Sequence, residues 1–412
     1  MIVRTALDSG LRVVTEALPE LRSVTLGAWV ASGARDESDP EWGASHFLEH
    51  LLFKGTADRS AREIAESIES VGGEMNAFTT HEITVFYVRV PDAHFERAFD
   101  VLADVLWNPA FRPDELESER RVILEEIGMR DDTPDDLVHD LFAGAMFPDH
   151  PLGREVLGSH DSITSMARAD IAAYHEAHYR PSNVVLAVAG NITHDAVIDR
   201  VGARFPERAG TRPARPRPSA DAPRPVVVLA RDTEQAHVVM GMRALSNTDP
   251  DRYALSVMNQ VFGGGMSSRL FQEIREQRGL AYSVFSYPAT FDDTGYLAIY
   301  AGTASERLRE TLDLVDGELA RLVADGLTAD ELDAAKGHLV GSLAMSLETS
   351  ASRMRRLGRA EVVERDVPSL DELVARIAAV DRDDVARVID RVVRDSARSL
   401  AVVGPHDAAE FA

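Results

Sequence analysis

Between Phe205 and Pro225 the chain carries Pro206, Pro213, Pro216, Pro218, Pro223 and Pro225, interleaved with Arg, Ala and Gly. Proline has no backbone N–H and a fixed φ, so such a stretch enters neither a helix interior nor a central strand. It reads as an extended, semi-rigid linker. It cuts the 412 residues into halves of similar length, each the size of one domain. The expected organisation is an N-terminal domain over 1–208, a linker over 209–225 and a C-terminal domain over 226–412.

The halves read as a diverged repeat. Pro113-Asp114-Glu115-Leu116 opens a helical pattern to Arg130, and Ala329-Asp330-Glu331-Leu332 opens another 216 residues later. Val184 to Gly190 is an apolar run ending in glycine, and Ser399 to Gly404 repeats it at an offset of 214. Two nearly equal offsets at corresponding places indicate duplication of an α/β unit. Within the first half, Val24–Val30 and Thr84–Val90 read as strands, and Ala61–Val71, Phe95–Leu106 and Ile163–His178 as helices. Strands and helices mix without strict alternation. The expected fold class is therefore α+β: two duplicated α/β sandwich domains, each an antiparallel-rich sheet covered by helices, rather than one doubly wound parallel sheet.

Bulk properties exclude several function classes. Cysteine is absent, so disulfides and thiolate metal sites are excluded, and any metal must be held by His, Asp or Glu. The formal charge of −24 argues against a nucleic-acid partner and reads as an acidic, solvated exterior. No apolar run reaches the length of a membrane span. The N-terminus enters an alternating strand pattern at once, with no signal-peptide core or Arg/Ser-rich transit segment ahead of it, so the expected location is cytoplasmic. Lysine occurs only at Lys54 and Lys336, which we attribute to base composition.

The chemistry is carried by His46-Phe47-Leu48-Glu49-His50. On a helix, His46 and His50 lie one turn apart on one face and can share a cation, with Glu49 beside that face to take a proton from a bound water. The order H-x-x-E-H inverts the commoner H-E-x-x-H. Ser45 precedes the pattern as an N-cap or first-turn residue. A hydrolytic zinc site needs a third protein ligand and one open position. The Pro113–Arg130 helix offers Glu115, Glu117, Glu119, Glu125 and Glu126. Glu119 and Glu126 share a face on which Val122 and Ile123 fall between them, while Glu125 points about 100° away from Glu126. Glu119 reads equally well as an ordinary helix-surface glutamate.

His46-x-x-Glu49-His50 with Glu126 76 residues further on resembles the pitrilysin/insulinase family of zinc metallopeptidases. The resemblance is to the branch of the mitochondrial processing peptidase β subunit and its short bacterial relatives. It extends over nearly the whole chain, through Leu7 to Glu16, Gly72 to Phe78 and Tyr179 to Asn183. It implies a peptide-bond hydrolase with one Zn2+ per chain, ligands His46, His50 and Glu126, and Glu49 as general base. Glu119 becomes the carboxylate that orients a ligand imidazole. Asn76, Ala77 and Phe78 become an edge strand pairing with the substrate backbone. His81, just beyond, reads as a cleft-lining or a structural residue.

The second half has no H-x-x-E-H, and Ser342 stands where the repeat offset would put a counterpart of Glu126. Ser267 to Tyr282 reads as an amphipathic helix, a Gly279 stop and a strand. Alone, Arg275 and Tyr282 are a surface charge and a half-buried aromatic. The resemblance makes them the pair that reaches the substrate carbonyl and the tetrahedral intermediate, where such a donor contributes roughly 3 kcal/mol. It also implies half of a four-domain clamshell with a closed chamber, hence a homodimer, the alternative being a heterodimer with a homologue lacking the zinc motif. A non-catalytic assembly protein on the same fold is the competing class. Gly263-Gly264-Gly265 lacks the Lys-Ser/Thr of a phosphate loop and reads as a flexible connection.

Overall fold

The computed structural model describes residues 2–205, 210, 213–215, 221–364 and 366–411, so the proline-rich stretch lies partly outside the described residues. The chain falls into two compact units. The first comprises Met1–Gly128, Glu155–Arg217 and Ser346–Val367, the second Met129–Arg154, Pro218–Met345 and Pro368–Ala412.

The first unit is built on a six-stranded sheet of β1 (Ile2–Ala6), β2 (Arg12–Ala17), β3 (Ser23–Val30), β4 (Glu74–Thr79), β5 (Thr84–Pro91) and β6 (Val184–Gly190). Their order is β1-β2-β6-β3-β5-β4, antiparallel throughout except for β2 beside β6. The second unit carries β7 (Val226–Ala230), β8 (Gln235–Ala244), β9 (Ala281–Thr290), β10 (Gly295–Ala304) and β11 (Arg398–Gly404) in the order β7-β11-β8-β10-β9. Here too only β7 and β11 run parallel. In each sheet the last strand of the half slots between a parallel and an antiparallel neighbour. The duplication expected from the offsets is thus repeated in strand order, in a mixed α+β fold of two helix-covered, mostly antiparallel sheets.

Five helices of the first half matter below: α1 (Ala44–Leu52), α2 (Ala61–Glu69), α3 (Phe95–Trp107), α4 (Pro113–Asp131) and α5 (Pro134–Met146). One face of the first sheet, through Leu26, Ala28, Phe86 and Val88, packs on Phe47, Leu48 and Leu51 of α1 and Phe99 and Leu102 of α3. Each such large apolar side chain contributes roughly 2 kcal/mol on burial.

The opposite face is also covered. Trp29, Val85, Tyr87 and Val185 pack on Met354 and Leu357 of the helix Ser350–Arg359. That helix comes close because Gly27 and Gly358 have no side chains. A Cβ on Gly27 would lie 2.5 Å from Met354 Sδ, and one on Gly358 2.0 Å from Trp29 Nε1. In the second unit Val138, Phe142 and Met146 of α5 fill the corresponding role against Val239, Ala298, Ala401 and Val403. Neither compact unit is a continuous stretch of chain, because each half supplies one helix to the other half's sheet.

The long helix expected over Ile163–His178 is two, His160–Ser165 and Arg168–His178. Met166 is extended (ψ 115°), its carbonyl accepts a hydrogen bond from Arg120 of α4 at 2.9 Å, and Asp170 caps the second helix through the Ala167 N–H. No helix among the described residues is long and apolar enough to cross a membrane.

Candidate metal centre

α1 begins at Gly43, whose φ of +96° few side-chain-bearing residues adopt. A Cβ there would lie 2.7 Å from Ile163 Cδ1 and 2.9 Å from the Gly158 Cα. Gly43 brings no side chain to cap the helix. The two oxygens of Glu37 supply the cap, accepting the Gly43 and Ser45 N–H groups at 2.7 Å each. Ser45 therefore sits in the first turn, with its hydroxyl 2.9 Å from the Tyr174 hydroxyl. Phe47, Leu48, Leu51 and Leu52 anchor the helix in the core. That leaves His46, 9% exposed, and His50 side by side with ring centroids 4.7 Å apart.

α4 faces them with a mixed stripe. Leu116, Glu119, Ile123 and Ile127 are buried, while Glu125 is exposed. The sequence pattern put Val122 on the glutamate face, but Val122 is 41% exposed and only Ile123 lies there. Glu126 brings its Oε2 to 3.7 Å from His46 Nε2 and 3.6 Å from His50 Nε2. Among the described residues these three form the one group of His, Asp or Glu donors, all within 4.8 Å of one another, that could hold a metal.

The spacing exceeds a hydrogen bond and approaches the roughly 3.3 Å that separates two ligands of one tetrahedral zinc. Glu126 Oε2 and His46 Nδ1 are both buried without a hydrogen-bond partner among the described residues. A desolvated carboxylate oxygen facing two imidazole nitrogens costs a few kcal/mol unless a cation joins them. The donor set fits a borderline cation taking nitrogen and oxygen ligands.

The His46 imidazole is in the protonation state a metal needs. Burial, followed by repulsion from His50, lowers the His46 pKa to about 4, so its ring is neutral at neutral pH. His50 Nδ1 lies 3.1 Å from Glu119 Oε2. Where Glu119 accepts this hydrogen bond, Nδ1 carries the proton, which in the neutral ring leaves the Nε2 lone pair toward Glu126. Glu119 is 4% exposed, and its other oxygen is held by Lys54 Nζ at 2.9 Å. Glu119 is thus no ordinary surface glutamate. Lys54, which the sequence reading set aside, ties it to the end of α1.

Burial raises the Glu49 pKa. The nearby backbone and hydroxyl of Thr79, and His50, offset part of that rise, and Glu126 adds to it. Thr79 ends β4, the outermost strand of its sheet, which pairs with β5 alone among the described residues. Asn76, Ala77 and Phe78 lie on this edge. The Asn76 Oδ1 accepts the Ala77 N–H at 2.8 Å, and Phe78 meets Trp29 edge-to-face. His81 lies in the β4–β5 turn, where its carbonyl accepts the Arg35 N–H at 2.7 Å.

In the second unit the Arg275 guanidinium lies between the rings of Phe271 and Tyr282, 4.7 and 4.9 Å from their centroids. Tyr282 is 79% exposed, and Gly279, at φ +61°, stops the helical run before β9. Ser342 carries a hydroxyl 3.4 Å from His338 Nε2 and belongs to no metal-binding group among the described residues.

Comparison with known proteins places the chain in a family. The family model described as Insulinase (Peptidase family M16) matches residues 12–160, and that described as Peptidase M16 inactive domain matches residues 165–339. An uncharacterized zinc protease of Streptomyces coelicolor is 45% identical over 98% of this chain and 89% of its own. The uncharacterized zinc protease YmxG of Bacillus subtilis is 40% identical over 98% of each. Among solved structures, a protease from Helicobacter pylori superposes with a TM-score of 0.90 at 24% identity, covering 98% of this chain and 99% of that one. At that identity the likeness speaks to the fold.

Proposed function

The chain belongs to the insulinase family, peptidase family M16, and on that premise we propose that it is a zinc-dependent endopeptidase whose His46, His50 and Glu126 hold one zinc per chain. The observation that carries this reading is the convergence of His46 Nε2, His50 Nε2 and the partnerless Glu126 Oε2. When bound, zinc supplies Lewis acidity, polarising a carbonyl and acidifying a coordinated water.

The chain's own residues do the rest. Glu119, backed by Lys54, holds the His50 ring with Nε2 toward the donor cluster. Glu49 accepts the proton of the attacking water on a carboxylate oxygen and returns it to the departing amine. Its upward-shifted pKa brings it closer to the operating pH, as a base that must also release the proton requires. The free edge of β4 at Asn76, Ala77 and Phe78 takes an extended peptide by main-chain pairing, which favours an unfolded substrate without strong sequence preference. Arg275 and Tyr282 are assigned, by resemblance, to the carbonyl oxygen as charge develops on it. On this reading the second half completes the substrate site, and the active species is a homodimer enclosing a chamber.

The test is zinc content by mass spectrometry together with hydrolysis of a peptide library, with Glu49→Gln as control and size-exclusion chromatography for the assembly. Zinc-dependent cleavage that Glu49→Gln abolishes supports the reading. Stoichiometric zinc without any cleavage favours a non-catalytic assembly subunit, and a monomer active only with a second protein favours the heterodimer.

A further inference from the structure

The two ligand histidines are held in different ways. His50 is steered through its own ring by Glu119, which Lys54 holds in turn. Among the described residues the ring of His46 has no hydrogen-bonded guide: its Nδ1 is buried without a hydrogen-bond partner, and Glu155 acts on it only as a nearby charge. The orientation of His46 is then set by where its backbone sits, in the first turn of α1. That turn follows a left-handed glycine and has no cap of its own. What fixes it is Glu37, six residues before the helix N-cap, with one oxygen on the Gly43 N–H and the other on the Ser45 N–H.

The arrangement is costly enough to need a reason. Glu37 is 2% exposed and forms no ion pair among the described residues. The buried arginines of its neighbourhood are engaged elsewhere, Arg35 with Glu82 at 2.7 Å and Arg215 with Asp36 at 2.9 Å. Its charge is balanced by the two N–H groups, the Ser45 hydroxyl and the positive end of α1. Burial accordingly pushes its pKa up to about 7, against the lowering effect of those two hydrogen bonds. Its surroundings are rigid. Ser45 bonds to Tyr174, Tyr174 to Ser32 at 3.2 Å, and Ser32 to His178 Nδ1 at 2.7 Å, all of them buried. The turn bearing Glu37 is pinned to the β4–β5 turn through the Ala34 and Arg35 N–H groups.

We propose that Glu37 is a positioning residue of the metal site, a remote carboxylate cap that fixes the first turn of α1 and through it the direction of the His46 ring. The proposal rests on the zinc reading of His46. Glu37→Gln is nearly isosteric but offers one acceptor where two are needed, and places an NH2 group against a backbone N–H. It is expected to weaken zinc binding 10- to 100-fold, measured by competition with a chromophoric chelator. It should also weaken the d–d absorption of the cobalt-substituted protein, while circular dichroism of the metal-free chain stays as in the wild type. Wild-type zinc affinity and cobalt spectrum in Glu37→Gln would overturn the proposal. If that variant does not fold, hydrogen exchange of the metal-free wild type decides. The Gly43 and Ser45 amides should be protected like those inside α1, and exchange at the rate of an open loop overturns the clamp. A wild type that takes up no zinc defeats the metal reading itself, which separates that failure from failure of the clamp.

Discussion

Glu37 and His46 lie on either side of the start of α1 and are shifted in opposite directions, so their effects on stability should oppose each other as pH falls. His46 has a folded pKa of about 4 against 6.5 for an ordinary histidine. Between these values the unfolded chain binds a proton that the native state refuses, so stability falls as pH drops from 6.5 to 4. Glu37 has a folded pKa of about 7 against 4.5. There the native state binds the extra proton, so stability rises as pH drops from 7 to 4.5. Each shift is about 2.5 units, on the order of 3 kcal/mol at 1.36 kcal/mol per unit. The windows nearly coincide, and in the metal-free wild type the two contributions cancel.

Single variants should expose them. In excess chelator, Glu37→Gln relative to wild type should lose roughly 3 kcal/mol between pH 7.5 and pH 4, because the His46 penalty then stands alone. His46→Gln should gain about the same over that range. The assay is urea denaturation at several pH values, following the transition of the first unit, with each variant compared to wild type at every pH. The difference at each pH reports the group removed together with its coupling to direct neighbours, such as His50 beside His46. Two pH-independent differences would refute the assignment of opposed shifts to this pair.

Three further outcomes follow from the same geometry. Glu49→Gln should retain zinc, by mass spectrometry, while peptide hydrolysis falls at least about 100-fold, as loss of a general base requires. Lys54→Met frees one oxygen of the buried Glu119 and should weaken zinc binding about 10-fold or more by chelator competition, with Lys54→Arg recovering part of it. Gly43→Ala must hold a side chain at φ +96° against Ile163 and Gly158 and should lower the stability of the first unit by more than about 2 kcal/mol in urea titrations.

What the sequence made legible was local and periodic. Strand alternation located β3 and β5 to within a residue or so, and the helix from Pro113 ends one residue beyond its expected limit. His46, Glu49 and His50 could be read as one site because helical spacing fixes which side chains are neighbours. Glu126 joined them through resemblance, since five glutamates on one helix give periodicity no means of choosing. What stayed hidden depends on contacts between distant segments. No local pattern tells that α5 will cover the second sheet or that Ser350–Arg359 will cover the first. Those helices are amphipathic like any others, and the glycines that admit the second of them, Gly27 and Gly358, are 331 residues apart.

The same limit applied at the proposed metal site, and there it concerned chemistry. Lys54 and Glu37 lie four residues after His50 and nine before His46, near enough to the motif to be noticed, yet neither has a spacing that points to a ligand. Each acts through a group it grips. Lys54 holds a carboxylate that holds an imidazole, and Glu37 holds two amides that hold a turn. The motif records the two imidazoles proposed to meet the metal because their spacing must match one helix. The supports can come from any direction, provided they arrive rigidly, and so leave no period to find. The two devices should therefore fail in different ways. Losing the grip on Glu119 leaves the His50 ring in place but its tautomer unguided, which a neutral acceptor at position 119 can restore. Losing the grip on Gly43 and Ser45 moves the backbone under His46, which no substitution at His46 can restore. Glu119→Gln should accordingly keep more zinc affinity than Glu37→Gln, although Glu119 touches a ligand and Glu37 touches none. The reverse order, measured in one chelator competition series, would show that contact with the imidazole outweighs the placement of the helix.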